Sequence, residues 1–214
     1  MVSARHNDYE YFWKFQGAES IEPWVVTTDR DNLEGFSKAE LVLSKNNKAL
    51  FQGYISQKLP KDGIIKNTGY VNLRSPLKMK SFVRQIPYDW SLFTHVIMKC
   101  RGDGRHYSLN IHMDTSFDIQ WFDLYNYPLY TRGGPYWQIA KIPFSKFFLS
   151  SKGRVQDSQT KLELQKVRSF GLTLGDGVEG PFQLEIDYIA LIADHSHEEE
   201  FAYETYMQEL ITLK

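Results

Sequence analysis

Apolar and polar residues alternate with a period of two along several stretches of the chain. Tyr107, Leu109, Ile111 and Met113 alternate with His106, Ser108, Asn110 and His112. A strand with that pattern turns one face to a core and the other to water. Tyr9, Tyr11, Trp13 and Phe15 share one parity near the N-terminus. Leu41 and Leu43 do so later, with Glu40 and Ser44 pointing away. Further strands are predicted at residues 24–28, 49–55, 70–74, 95–100, 138–142, 169–174 and 182–192. In the last of these, Phe182, Leu184 and Ile186 point inward and Gln183, Glu185 and Asp187 outward. Beyond Asp187 apolar residues fill both parities, so that half is either covered on both faces or shifted by a bulge.

Turn chemistry separates these runs at Lys61-Asp62-Gly63, Arg101-Gly102-Asp103-Gly104, Gly133-Gly134-Pro135, Gly175-Asp176-Gly177 and Gly180-Pro181. Glycine supplies positive φ and proline fixes φ, so strands end there. About ten strands at this spacing, with no long helical period, predict an all-β, two-sheet sandwich of jelly-roll type. Helix is confined to short pieces, one at residues 145–149 and one at 198–213. No Pro, Ser or Gly run is long enough to divide the chain. Residues 1–194 therefore read as one β-sandwich domain and 195–214 as a C-terminal surface tail.

Composition narrows the function. Of 214 residues 42% are hydrophobic and 15% aromatic, ample material for a core. The formal net charge of -1 supplies no sustained positive field for nucleic acid. The one cysteine, Cys100, excludes an intrachain disulfide and reads as a buried small hydrophobe at a strand end. No apolar run approaches the roughly 20 residues of a membrane-spanning helix. The N-terminal Met1-Val2-Ser3-Ala4-Arg5 has no secretory core and is too short for a transit peptide, so a mature or trimmed form is expected.

A search for chemistry returns weak candidates. Gly102-Asp103-Gly104 lies between two strands and not before a helix, the wrong context for a phosphate loop. The Arg101-Gly102-Asp103 tripeptide reads as part of a tight hairpin turn. His195, His197 and Glu198 to Glu200 lack zinc-site spacing and read as a solvated charge run. His106 and His112 fall on the polar face of one strand. Two carboxylate pairs, Asp29 with Asp31 and Glu185 with Asp187, leave open a glycosidase or a calcium site, beside turn-capping and surface roles. Residues 121–130 carry large rings on both parities, for core packing or for an exposed platform.

Residues 131–148 read Thr-Arg-Gly-Gly-Pro-Tyr-Trp-Gln-Ile-Ala-Lys-Ile-Pro-Phe-Ser-Lys-Phe-Phe. That stretch resembles the signature region of the complex I intermediate-associated protein family, assembly factors of NADH:ubiquinone oxidoreductase. So do residues 24–29, 49–53, 101–105, 180–189 and 197–203, in order along the chain. The resemblance implies a galactose-binding-like jelly roll, located in the mitochondrial matrix at the inner membrane. It implies binding to immature complex I modules and subunits and to other assembly factors. Among these are an acyl-CoA dehydrogenase-like flavoprotein and a signalling intermediate of Toll pathways. It implies no catalysis and offers no catalytic, cofactor or metal residue. One departure is Glu34-Gly35-Phe36-Ser37, where many relatives have paired glycines, which puts in doubt any ligand or ion site on that loop. Partner contacts are expected on loops at one end of the sandwich, at Arg132, Tyr136 and Trp137, since these residue types anchor interfaces. Against this, Gly133-Gly134-Pro135 is a tight turn and Trp137 could begin a core strand. The alternatives are a carbohydrate-binding module, with its groove on His106, Ser108, Asn110 and His112, and an enzyme using carboxylates such as Asp187.

Overall fold

The computed structural model describes residues 8–61, 63, 65–81, 84–114, 123–151 and 153–203. In chain order its strands are β1 (Asp8–Lys14), β2 (Val25–Thr28), β3 (Lys38–Leu43), β4 (Ala49–Ile55), β5 (Val71–Arg74), β6 (Met79–Lys80), β7 (Arg84–Gln85) and β8 (His95–Arg101). They continue with β9 (His106–Met113), β10 (Asp123–Tyr130), β11 (Gln138–Pro143), β12 (Phe148–Ser151), β13 (Arg154–Val155), β14 (Val167–Leu174) and β15 (Gly180–Ala193). One sheet runs β11-β8-β15-β4-β3, with β1 added beside β15. The other runs β13-β12-β10-β9-β14-β5-β2. All pairings are antiparallel, and β6 with β7 forms a small separate ladder. This is the jelly-roll β-sandwich that the alternation predicts.

The inner faces carry the expected residues. Tyr107, Leu109 and Ile111 of β9 are buried, as are Phe182, Leu184 and Ile186 of β15. Where both parities of β15 are apolar, both predicted causes operate. The register against β8 shifts between Ile186 and Tyr188. Beyond it Ile189 and Leu191 enter the main core, while Ala190 and Ile192 form a small cluster with Ile97 on the outer face. Cys100 is fully buried, as expected. Pro128 sits inside β10 without harm, because β12 pairs β10 only as far as Asn126 and leaves that side open beyond.

Four expectations need correction. Tyr9 and Tyr11 do not share a face with Trp13 and Phe15. A bulge against β15 between Tyr11 and Trp13 inserts one residue and inverts the parity. Tyr9 and Tyr11 are exposed, while Phe12, Trp13 and Phe15 pack on the core. Second, Gly102 to Arg105 is not a hairpin, since it joins β8 of one sheet to β9 of the other. Third, the helix at 145–149 shrinks to one 3-10 turn, Phe144–Lys146, followed by β12.

Fourth, the helix read at 198–213 is absent from its described part, and residues 195–203 lie against the surface without helix. Ser145 Oγ donates to Glu199 at 2.7 Å, Ala202 N donates to Ser145 O at 3.1 Å, and Tyr203 OH donates to Lys146 O at 2.7 Å. His197 stacks edge-on against His95, with ring centroids 4.7 Å apart. Residues 198–203 are not helical, and the rest of that predicted helix lies outside the described residues, as do Trp121 and Phe122.

Candidate partner-binding surface

The crossings between β2 and β3, β4 and β5, β8 and β9, β10 and β11, and β14 and β15 all gather at one end of the sandwich. The registers require it: Thr28 and Leu174 both pair Val71, Leu174 also pairs Tyr107, Tyr130 pairs His106, and Ile55 pairs Gly180. Polar side chains rivet these loops. Asp29, fully buried, accepts from Ser37 N and Oγ at 2.8 Å each, from Gly69 N at 2.8 Å and from Thr68 Oγ1 at 2.9 Å. Burial opposes its charge, yet these bonds hold its carboxyl below the ordinary range. Asp31 accepts from Thr28 N and Oγ1 as a turn cap. Asp103 takes the amides of Arg105 and Gln183. Arg101-Gly102-Asp103 is thus part of the scaffold, with Arg101 bound to Glu185.

The β10–β11 loop carries the three predicted anchors. Arg132 is exposed, and its backbone N–H donates to Gln138 Oε1 at 2.8 Å. Gln138 in turn donates to Tyr130 O at 3.1 Å. Gly134 turns the loop at a φ of 96°, a backbone that favours glycine. Tyr136 is 74% exposed. The Gly133-Gly134-Pro135 turn is tight, but Trp137 does not begin a core strand. Its half-buried ring lies against the cations of the outer face, Arg101 at 5.2 Å and Lys99 at 5.5 Å from the centroid.

From Trp137 a row of rings and ammonium groups continues across that face. Lys99 is also 6.0 Å from the Tyr188 ring centre. Tyr188 meets Tyr11 at 5.1 Å, Tyr11 meets Tyr9 at 4.8 Å, and Lys14 Nζ sits 3.7 Å over Tyr11. The registers Ile139 to Lys99 to Tyr188, and Lys141 to Ile97 to Ala190 to Tyr11, make the surface continuous across four strands. Burial, then hydrogen bonding to Tyr188, pushes the Tyr9 phenol above its ordinary value. The parity of β1 conceals Tyr9 and Tyr11 from sequence reasoning. Nothing in sequence spacing links them to Trp137.

The carboxylates proposed for catalysis lie on the same face and are neutralised. Asp187 is clamped by Lys48 at 2.5 Å and Lys99 at 2.8 Å. Glu185 takes Ser44 Oγ at 2.5 Å, Asn46 Nδ2 at 3.1 Å and the Arg101 guanidinium. Burial raises both, but these partners hold both below the usual carboxylate range. A general acid needs the opposite shift. Among the described residues no group of three or more His, Cys, Asp or Glu is placed to hold a metal ion. His195 is exposed, and Glu200 pairs with Lys161 at 2.8 Å.

Residues 13–186 match the family model described as Complex I intermediate-associated protein 30. The chain is 52% identical over 204 residues to "Complex I intermediate-associated protein 30, mitochondrial" of Drosophila melanogaster, covering 94% of this chain and 69% of that protein. Against the Mus musculus protein of the same description it is 47% identical over 193 residues, 90% of this chain and 58% of the relative. Among solved structures, a family 11 carbohydrate-binding module from a Clostridium thermocellum cellulase superposes with a TM-score of 0.61 at 17% identity, covering 90% of this chain and 99% of the module. A family 11 module in complex with a mixed-linked tetrasaccharide gives 0.59 at 16% identity, covering 88% and 98%. At such identity the likeness establishes the β-sandwich fold alone.

Proposed function

The chain belongs to the complex I intermediate-associated protein 30 family, and from that premise we propose that it acts in mitochondria as a non-catalytic, chaperone-like assembly factor that binds other proteins. Its partners are immature modules and subunits of respiratory complex I and other assembly factors. The acyl-CoA dehydrogenase-like flavoprotein and the signalling intermediate of Toll pathways are the first to test. The proposed location is the matrix side of the inner membrane, held peripherally. Among the described residues no helix is long and apolar enough to cross a membrane. The proposed unit is a single β-sandwich domain over residues 1–194, with 195–214 as its C-terminal surface tail.

The observation that carries the reading is the row from Trp137 to Tyr9, flanked by exposed Tyr136 at 74% and Ile139 at 62%. Tyr, Trp and Arg are the residue types that anchor interface centres, and here exposed Tyr136, Tyr9 and Tyr11 and half-buried Trp137 and Tyr188 adjoin Arg101 across one face. The inward-turned alternative for Trp137 does not apply, because its ring lies on cations.

Affinity purification of the tagged full chain from mitochondria, read by mass spectrometry, tests this. Complex I subunits and assembly proteins copurify with the wild type. They fall about tenfold or more with Tyr136→Ala and Trp137→Ala combined, the loss of two aromatic anchors. A stable, monomeric chain that captures none of them sinks the proposal.

A further inference from the structure

The opposite face of the sandwich carries a second feature, made of neutral polar side chains. Asn72 on β5, Thr173 on β14, Ser108 and Asn110 on β9, Asn126 on β10 and Ser150 on β12 lie on adjacent strands. All point away from the core, because their neighbours Tyr107, Leu109, Leu172 and Leu174 fill it. The six form a chain of hydrogen bonds. Thr173 Oγ1 donates to Asn72 Oδ1 at 2.6 Å, and Asn110 Nδ2 donates to Thr173 Oγ1 at 2.5 Å. Ser108 Oγ lies between Asn110 Oδ1 at 3.1 Å and Asn126 Oδ1 at 3.3 Å, sharing its one proton between them, and Asn126 Nδ2 reaches Ser150 Oγ.

Two properties separate this row from an ordinary wet sheet face. Asn110 and Ser150 are only 5% and 4% exposed although they face away from the core, and they anchor the half-buried Asn72, Ser108, Asn126 and Thr173, which are the groups a ligand can reach. Side chains that face water can also satisfy themselves with solvent and keep their rotamer freedom, whereas here each is fixed by the next. A row ordered in advance lowers the ordering cost of binding a ligand. An amide has more capacity than the one N–H that Asn110 gives Thr173 and the one lone pair it offers Ser108.

The chemistry of the row selects the ligand. None of the six side chains carries a charge, and the exposed Arg74 on the same face is a cation that can also donate to hydroxyls, so a cation would lose its water without compensation. A molecule rich in hydroxyls exchanges donors and acceptors with amides and hydroxyls on equal terms. Four steps between strands of about 4.8 Å give a row of roughly 19 Å, suited to several linked sugar rings and not to one. Tyr130, 63% exposed and edge-on to His106 at 4.6 Å, supplies an aromatic face beside the row. The structure assigns to this row the binding of a neutral oligosaccharide. His112, predicted with the set, is half-buried and meets Ser169 at 3.2 Å, outside the row. The inference stands independently of the protein-binding reading, which uses the other sheet.

The test is titration of the full chain with cellotetraose, maltotetraose and mannotetraose, followed by calorimetry and by amide NMR shifts. At least one of the three binds saturably, with shifts confined to the strands of the row. Tyr130→Ala weakens that binding about tenfold, the loss of one stacking contact. Thr173→Val, which keeps the shape and removes the central hydroxyl, weakens it similarly and lowers the melting temperature by leaving Asn110 unpaired, so its binding is read at a temperature where circular dichroism shows the variant folded. No saturable response to any of the three overturns the inference, and so does binding that both variants leave unchanged.

Discussion

Arg105 grips Asp176 through two hydrogen bonds, Nε to Oδ2 at 2.9 Å and Nη2 to Oδ1 at 2.5 Å. The same guanidinium reaches the carbonyl of Val178, and those of Gly180 and Pro181 at 3.3 Å each. The pair joins the β8–β9 and β14–β15 crossings, and its side chains are only 11% and 9% exposed. Lysine cannot reproduce this fork. Asp176→Ala destabilises by about 3–5 kcal/mol, the usual cost of leaving one partner of a buried pair alone, and Arg105→Lys, which keeps the charge but loses the fork, by less. Urea unfolding checks this, and a loss below about 1 kcal/mol for Asp176→Ala, the range of surface pairs, would place the pair in water.

Stability falls in acid in two stages. Burial first, then neighbouring Arg74 and Arg168, pushes His112 down to about 4. Burial, then Lys141 and His197, does the same to His95, against a smaller opposing pull from Asp194. The unfolded chain takes up these protons near pH 6.5, the ordinary histidine value. Between about 6.5 and 4 the unfolded state therefore binds more protons than the folded one, and stability drops as pH falls through that window. Above it both histidines are neutral in both states and contribute no slope. Asp29, Asp176, Glu185 and Asp187 have lowered values, so their contribution is lost only as pH falls further. Urea midpoints measured across pH show both stages, and His112→Asn flattens the first.

Cys100 is fully buried, and burial pushes its thiol up to about 12. Thiolate is the reactive species, so native protein resists a thiol reagent at neutral pH. Labelling follows global unfolding and tracks the urea transition. Rapid labelling of the native state, before any loss of strand signal in circular dichroism, would contradict the core position.

Most strands of the sandwich are legible because their inward faces are runs of alternating large apolar residues, as in Tyr107, Leu109 and Ile111. β10, with large rings on both parities, and β12, whose start reads as helix at 145–149, are not, nor are the two-residue ladders β6, β7 and β13, which carry no period. Arg132, Tyr136 and Trp137 could be placed on a loop from Gly133-Gly134-Pro135 alone. The surface they extend could not. Tyr9 and Tyr11 have the same parity as Trp13 and Phe15, and only a one-residue bulge separates them. Bulges leave no signature in alternation when both faces are aromatic. The polar row was half visible, as Ser108 and Asn110 on one strand. Asn72, Asn126, Ser150 and Thr173 come from distant strands, and register is set by the fold and not by local pattern.

The loop after β2 predicts opposite responses at two neighbouring positions. The positive φ, where paired glycines would be expected to matter, falls on Leu33 at 60°, and Leu33 is 83% exposed. A left-handed backbone costs an L-residue roughly 1–2 kcal/mol, and glycine does not bear it. Part of that gain is offset by the freedom glycine adds to the unfolded chain. Leu33→Gly therefore raises stability by about 0.5–1 kcal/mol. Gly35 does not have a positive φ and is needed for another reason. A Cβ there would collide with Thr68 Oγ1 and with the Asp29 carboxylate. Gly35→Ala displaces the buried acceptor that ties Ser37, Thr68 and Gly69 together, at about 1–3 kcal/mol for each group left unsatisfied. Thermal unfolding of the two variants separates the causes. A rise for Leu33→Gly with a fall for Gly35→Ala assigns the loop's strain to residue 33 and its packing to residue 35. Two falls would mean that the exposed leucine is held by a contact of its own.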